Sequence, residues 1–207
     1  LTLTGLMWLW FINLFNFMDG IDGITSVQMI SIGLGLSLLS VFGLLNSLVL
    51  IPSMIIVACA VGFLIWNWAP AKVFMGDVGS VPLGYLIGWL LISVVFPSNS
   101  FGIELMTIVL LPAYYYADAT ITIIRRLICK KNIFQAHREH FYQFAVDRGL
   151  SHGQVCRAII LANLILFGAV LLCVEFNVAV SITIGLIVVT LLLFWMRGVF
   201  SKKSLTK

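Results

Sequence analysis

Long apolar runs alternate with short polar stretches along the whole chain. The runs fall at about 1–15, 27–45, 49–66, 81–96, 103–123, 156–174 and 178–196. Most approach the roughly 20 residues that a helix needs to cross the hydrocarbon of a bilayer. Within hydrocarbon the backbone must satisfy its own hydrogen bonds, which leaves helices or closed barrels. The runs are continuously apolar rather than alternating, so they predict helices. The expected fold is all-α, a polytopic transmembrane helical bundle of about seven spans, with residues 1–207 as one integral-membrane unit. Pro52, Pro82 and Pro112 sit within or near span starts, where a first turn or a kink tolerates them. No basic region precedes the first run, so it does not read as a signal peptide. We read Leu1 as a start inside a larger protein whose N-terminal portion lies upstream.

Composition agrees. The chain is 61% hydrophobic and 10% charged, with a mean hydropathy of +1.12. Soluble domains run nearer half apolar and a quarter charged. Charge then orients the spans. If 16–26 faces inward, parity puts 67–80, 124–155 and the tail after 196 on the same side, and the turns near 46–48, 97–102 and 175–177 outside. Lys72 falls in the second inner stretch. Arg125, Arg126, Lys130, Lys131, Arg138 and Arg148 fall in the third, with Arg157 at its edge. Arg197, Lys202, Lys203 and Lys207 fall in the tail. These are all 12 Lys and Arg residues, and the outer turns hold none. The positive-inside rule therefore makes the three loops and the C-terminus cytoplasmic. The net charge of +4 is a topology signal and implies no nucleic-acid partner. Asp19, Asp22, Asp77, Glu139 and Asp147 are also inside, and Asp118 lies toward that end of its span, so polar chemistry gathers on one face. Cys59, Cys129, Cys156 and Cys173 form no C-x-x-C pair and read as apolar fillers or reduced thiols.

Three inner stretches carry the candidate chemistry. The first is NFMDGIDG, Asn16 to Gly23. Asp19 and Asp22 are three apart and would share a face of a helical turn. Two neighbouring carboxylates repel unless a cation or a proton relieves them. Magnesium suits such a place, because it takes one or two carboxylates and completes its shell with substrate phosphates. The plainer reading is a polar loop whose Asp residues cap the next helix. The second is NWAPAKVFMGDVGS, Asn67 to Ser80. Asp77 sits among glycines, where backbone N–H groups opening a helix can cradle phosphate. Lys72 offers a charge to a phosphate, and Phe74 an aromatic face to a base. Alternatively this is a capped turn, with Asp77 ahead of a helix starting near Val81. The third contains QAHREHFYQ, with His137 and His140 three apart around Arg138; a solvated basic loop is the competing reading. His152, in GLSHGQV, reads as a surface residue near a helix start.

The order NFMDGIDG, FMGDVGS and then a basic loop with AHREHFYQ resembles the polyprenyl-phosphate N-acetylhexosamine-1-phosphate transferase family, of the glycosyltransferase family 4 type. The resemblance runs over essentially the whole chain. It implies a phosphoglycosyl transferase in the bacterial inner membrane. Such an enzyme moves N-acetylhexosamine 1-phosphate from a UDP-sugar to undecaprenyl phosphate, releases UMP and starts a cell-envelope glycan. It implies Mg2+, with Mn2+ as a substitute. Carried over residue by residue, it makes Asp77 a metal ligand and Asp19 a catalytic carboxylate beside it, also on the metal. Asp22 and Asn16 become nucleotide-side contacts, and Phe74 the residue near the uracil. Lys72 and His137 join the substrate-binding set, and His140 with Arg138 stands near the phosphates. Two departures stand out. An Asp-Asp-x-x-Lys motif of the family's earlier loop is absent, so this portion alone is expected to be inactive. HFYQ also replaces a run of histidines, which is nearer to O-antigen-initiating members than to the peptidoglycan enzyme. A homodimer is compatible with all of this. The runner-up is a secondary transporter with acids on the cytoplasmic side, but transporters place charge near the midplane of broken helices, and here the spans hold almost none. A non-catalytic membrane scaffold would not need paired acidic glycine loops.

Overall fold

The computed structural model describes residues 2–95, 102–133, 135 and 137–198. Among them the regular elements are helices: α1 (Thr2–Phe17), α2 (Ile24–Val41), a 3-10 turn (Ser47–Val49) leading into α3 (Leu50–Asn67), α4 (Gly76–Val95), α5 (Gly102–Leu110), α6 (Ala113–Ile128), α7 (Phe141–Asp147), α8 (His152–Glu175) and α9 (Val178–Arg197). Five are long and apolar enough to cross a membrane: α2, α3 with its leading turn, α4, α8 and α9. α1 is apolar and 16 residues long. Exposed Ile51, Ile55 and Ile65 on α3 show the outward apolar surface of a bundle that faces lipid. The chain is a polytopic helical membrane bundle. The expected cytoplasmic C-terminus, with Lys202, Lys203 and Lys207, lies outside the described residues, as does most of the outer turn at 97–102.

Two boundaries differ from those the sequence predicts. The 103–123 run is not one straight span: α5 and α6 meet at 57° across Leu111 and Pro112. Proline has no N–H to continue the ladder and its ring bends the helix, and a carbonyl that the bend leaves in hydrocarbon needs another donor. Buried Gln28 on α2 supplies it, donating Nε2 to Leu111 O at 3.0 Å, while Asn163 on α8 donates to Gln28 Oε1 at 3.0 Å. In addition, α4 begins at Gly76, five residues before Val81, so Asp77 lies inside its first turn rather than ahead of the helix.

Glycine controls how closely the helices approach. A Cβ on Gly84 of α4 would stand 3.1 Å from Ile12 Cα and 3.0 Å from Phe15 Cβ on α1. One turn on, Gly88 accommodates Trp8 and Phe11. This small-x-x-x-small spacing lets the two backbones pack directly, bringing the end of α1 beside the start of α4. Ser151 caps α8 by accepting from Gln154 N (3.2 Å), and Gln154 Oε1 accepts from Ser151 N (2.8 Å), a reciprocal capping box. Arg148 donates to Trp195 O and Met196 O, both at 2.9 Å. A cation there complements the negative end of the α9 dipole. It also ties that end to the α7–α8 corner, so the end carrying Arg197 sits with the three polar stretches.

Candidate active site

All three polar stretches meet at one end of the bundle. Asn16, in the last turn of α1, accepts from Ser80 Oγ of α4 at 2.6 Å. This hydrogen bond joins the two acidic stretches, and the charges of Asp19 and Asp77 interact near it. Thr25 Oγ1, in the first turn of α2, donates to Asp19 Oδ1 at 2.6 Å. The Asp19 carboxyl is raised to about 6. Its burial is the largest cause, the Thr25 hydroxyl and the Gly76 amide oppose it, and the charge of Asp77 pushes it further up. No group of three or more His, Cys, Asp or Glu residues forms a metal cage among the described residues. Two interacting carboxylates, one of them exposed, fit a hard cation that draws its remaining ligands from water and substrate phosphates.

Asp22 turns away from this pair. Its Oδ2 accepts from Ala71 N at 3.1 Å and lies 3.2 Å from His152 Nδ1. Its backbone carbonyl accepts from Cys156 Sγ at 3.3 Å. The expectation that Asp19 and Asp22 share one face is therefore corrected. Residues 19–22 are not helical, so the spacing of three does not stack the two side chains, and the Thr25 and Ala71 donors hold the two carboxylates separately. Buried Asn67 completes the junction: Oδ1 accepts from Gly23 N at 3.0 Å and Nδ2 donates to Val73 O at 2.9 Å. Asp22, Trp68, Pro70, His152 and Arg157 line a cleft of about 410 Å³. His152 does open α8, as its sequence context predicts, but it is an Asp22 partner rather than a bare surface residue.

The histidine loop closes the other side. His140 is 2% exposed, so the solvated-loop reading fails for it. Its Nδ1 lies 3.0 Å from Oδ1 of buried Asp118 on α6, which also accepts from the Phe141 and Tyr142 amides at 3.0 and 3.3 Å. Tyr142 OH donates to Phe17 O at 3.1 Å. A Cβ on Gly20 would collide with that hydroxyl, which is why this position of the first acidic loop has no side chain. His140, His137, Asn13, Phe17, Ile133 and Gln143 line a second cleft, of about 460 Å³. The His137 ring stacks on His140 with centroids 5.1 Å apart. Burial first, then the charge of Arg126, holds His137 below the ordinary imidazole range.

The comparisons with known proteins decide the family. Residues 1–95, which hold both acidic loops, match the model of glycosyl transferase family 4. The chain belongs to glycosyl transferase family 4. A probable undecaprenyl-phosphate N-acetylglucosaminyl 1-phosphate transferase of Bacillus subtilis is 35% identical over 142 residues, 68% of this chain and 38% of that protein. An undecaprenyl-phosphate alpha-N-acetylglucosaminyl 1-phosphate transferase of Thermotoga maritima is 31% identical over 135 residues, 64% of this chain and 39% of that protein. A phospho-N-acetylmuramoyl-pentapeptide-transferase of Buchnera aphidicola is 35% identical over 150 residues, 63% of this chain and 40% of that protein. The chain thus spans about two-fifths of the length of these relatives.

In this family 4 chain, Asn16, Asp19 and Asp77 come together, with His140 and Asp22 on either side. Three expected contacts lie at the margin. Phe74 is 73% exposed and lines neither cleft. Lys72 lies over the Trp66 ring at 5.6 Å. Arg138 is exposed and paired with Asp147 at 3.4 Å, a surface pair of small energetic weight. The neighbouring basic residues are committed elsewhere: Arg125, Arg126 and Lys131 converge on Glu139, and Lys131 above all holds that carboxyl below the usual range. Sequence reading missed Thr25, Asn67 and the Asp118–His140 pair. Tyr114, Asp118 and Thr122 form a polar stripe at i, i+4 spacing on an otherwise apolar run, and that stripe was the available signal.

Proposed function

We propose that this chain carries the phosphosugar-transfer site of a membrane enzyme. In this reading the enzyme moves N-acetylhexosamine 1-phosphate from a UDP-sugar to undecaprenyl phosphate at the cytoplasmic face of a bacterial inner membrane. The observation that carries the reading is the electrostatically coupled pair Asp19 and Asp77, tied together by the Asn16–Ser80 hydrogen bond at one end of the bundle. A lipid phosphate can reach such a place from the bilayer and a nucleotide from water. The acceptor phosphate oxygen attacks the β-phosphorus of the UDP-sugar, the bond from that phosphorus to the bridging oxygen breaks, and UMP leaves. Reaction of this kind needs charge neutralisation and in-line positioning more than covalent help. Asp19 and Asp77 would hold Mg2+, or Mn2+ in its place; when bound, the ion neutralises diphosphate charge. Asp22 stands on the nucleotide side, Phe74 beside the base, and His140 beside the phosphates. The relatives named for N-acetylglucosamine and for N-acetylmuramoyl-pentapeptide both fit this chemistry. The HFYQ loop favours a glycan-initiating role of the O-antigen type over peptidoglycan. Transfer of radiolabelled sugar phosphate to undecaprenyl phosphate by the complete protein tests the proposal, and no labelled lipid would refute it.

Two consequences follow. With its carboxyl raised to about 6, Asp19 is neutral below that pH and charged above it. Metal must then displace a proton on the acid side, so the Mg2+ concentration for half-maximal activity is expected to rise about tenfold per pH unit below 6 and to level off above it. A flat Mg2+ requirement between pH 5 and 7.5 would count against Asp19 as a ligand. Phe74→Ala should raise KM for the UDP-sugar with kcat little changed, because a stacking contact made equally in ground and transition states is lost from both. A fall in kcat at constant KM would show instead that Phe74 positions Asp77.

A further inference from the structure

Asp118 is fully buried on a membrane helix, where an unpaired carboxylate is costly. Its surroundings are donors. Oδ1 accepts from the Phe141 amide and Thr122 Oγ1, and Oδ2 from Tyr114 Oη (3.1 Å) and the Tyr142 amide. His140 Nδ1 lies 3.0 Å from Oδ1. A carboxylate accepts only, so the nitrogen facing it must carry a proton. That holds for the neutral ring and for the imidazolium alike. Nε2 is then the one ring atom left to gain or lose a proton. The ring cannot readily turn, because Tyr142 stacks on it at 5.7 Å, His137 at 5.1 Å, and Phe17 lies beyond at 6.5 Å. The titratable groups packed on the imidazole are thus Asp118 from α6, Tyr142 from α7 and His137 from its own loop.

We infer that Asp118 is a positioning residue that locks His140 with Nδ1 protonated and keeps Nε2 for the adjoining cleft, where it donates to a phosphate oxygen once it carries the second proton. The functional half of this rests on the transfer reading above. Capping the two α7 amides does not by itself require a charge, since Asn caps about as well as Asp. A carboxylate offers only acceptors to Nδ1, whereas an Asn amide could also donate to it.

The test is the tautomer of His140 in the complete protein, labelled with 15N-histidine in detergent. His140→Gln assigns the signal. Two-bond proton–nitrogen correlations are expected to show Nδ1 protonated and Nε2 bare at alkaline pH. An Nε2–H form, or exchange between both forms, would overturn the inference. This spectrum needs no substrate, so it stands or falls separately from the transfer reading. In activity assays Asp118→Asn is expected to slow transfer roughly 10- to 100-fold, the usual loss when a group that orients a ligating or reacting histidine is changed. In a His140→Gln background the same change should cost nothing further. An equal loss in both backgrounds would mean that Asp118 serves only the α7 fold. If Asp118→Asn does not accumulate, the wild-type spectrum still decides.

Discussion

In the complete protein, Asp77→Asn should reduce Mg2+-dependent UMP release by roughly 10²-fold or more, the scale of losing one electrostatic contributor to a transition state. The substitution keeps the size of the side chain and removes its charge, and an amide is a poorer ligand for magnesium than a carboxylate. The structure sharpens the alternative. Asp77 lies in the first turn of α4, which begins at Gly76, so its purely structural value is a favourable interaction with the helix dipole. Such an interaction is worth about 0.3–1 kcal/mol at an exposed position, far too little to unfold the bundle. Asn would leave the protein in the membrane, and on that alternative it would leave turnover nearly intact. Purified wild type and variant, compared at matched amounts across a magnesium titration, separate the two. Near-normal turnover in the variant would remove Asp77 from the metal site.

The second large effect comes from a residue with no chemistry. Gly84→Leu should lower both activity and stability, because its Cβ meets backbone atoms of Ile12, and backbone cannot rotate aside. Overpacking of this kind costs about 1–3 kcal/mol. The helices must separate, and with them the ends that carry Asn16 and Asp19 on one side and Asp77 and Ser80 on the other. A misplacement of about 1 Å at reacting groups can cost ~10²-fold in rate. Gly62→Leu is the control: a Cβ there meets nothing within 4 Å, on an exposed stretch of α3. Thermal unfolding in detergent and UMP release should both fall for Gly84→Leu and hold for Gly62→Leu. Equal behaviour of the two variants would show that α1–α4 contact does not set the geometry of the site.

The class of fold was legible because hydrocarbon imposes one solution on the backbone. Unbroken apolar runs predict helices, and the distribution of Lys and Arg predicts which turns share a side. The structure gathers the described parts of those turns at one end, through Gly23–Asn67, Asp22–His152 and Phe17–Tyr142. The acidic stretches were legible as candidates, since carboxylates among glycines at span ends suit a cation as well as a helix cap. Spacing along the chain did not give their directions. Asp19 and Asp22 are close in sequence but take different partners, because residues 19–22 are not helical and the hydrogen bonds from Thr25 and Ala71 hold the two carboxylates separately.

By itself, then, the sequence determined a helical membrane bundle, its charge asymmetry and the acidic and histidine-bearing stretches that are candidates for its chemistry. Those properties follow from local composition and the cost of bare backbone in lipid. Tertiary structure alone decided that Asp118 belongs to His140, 22 residues on, that Asn16 belongs to Ser80, and that His152 belongs to Asp22. It also decided that Gln28 repairs the break at Pro112. Each of these is a pairing of polar groups between different helices or loops. Their partners are chosen by where glycine lets helices approach and where a bend leaves a carbonyl free, and no periodicity within one segment records that.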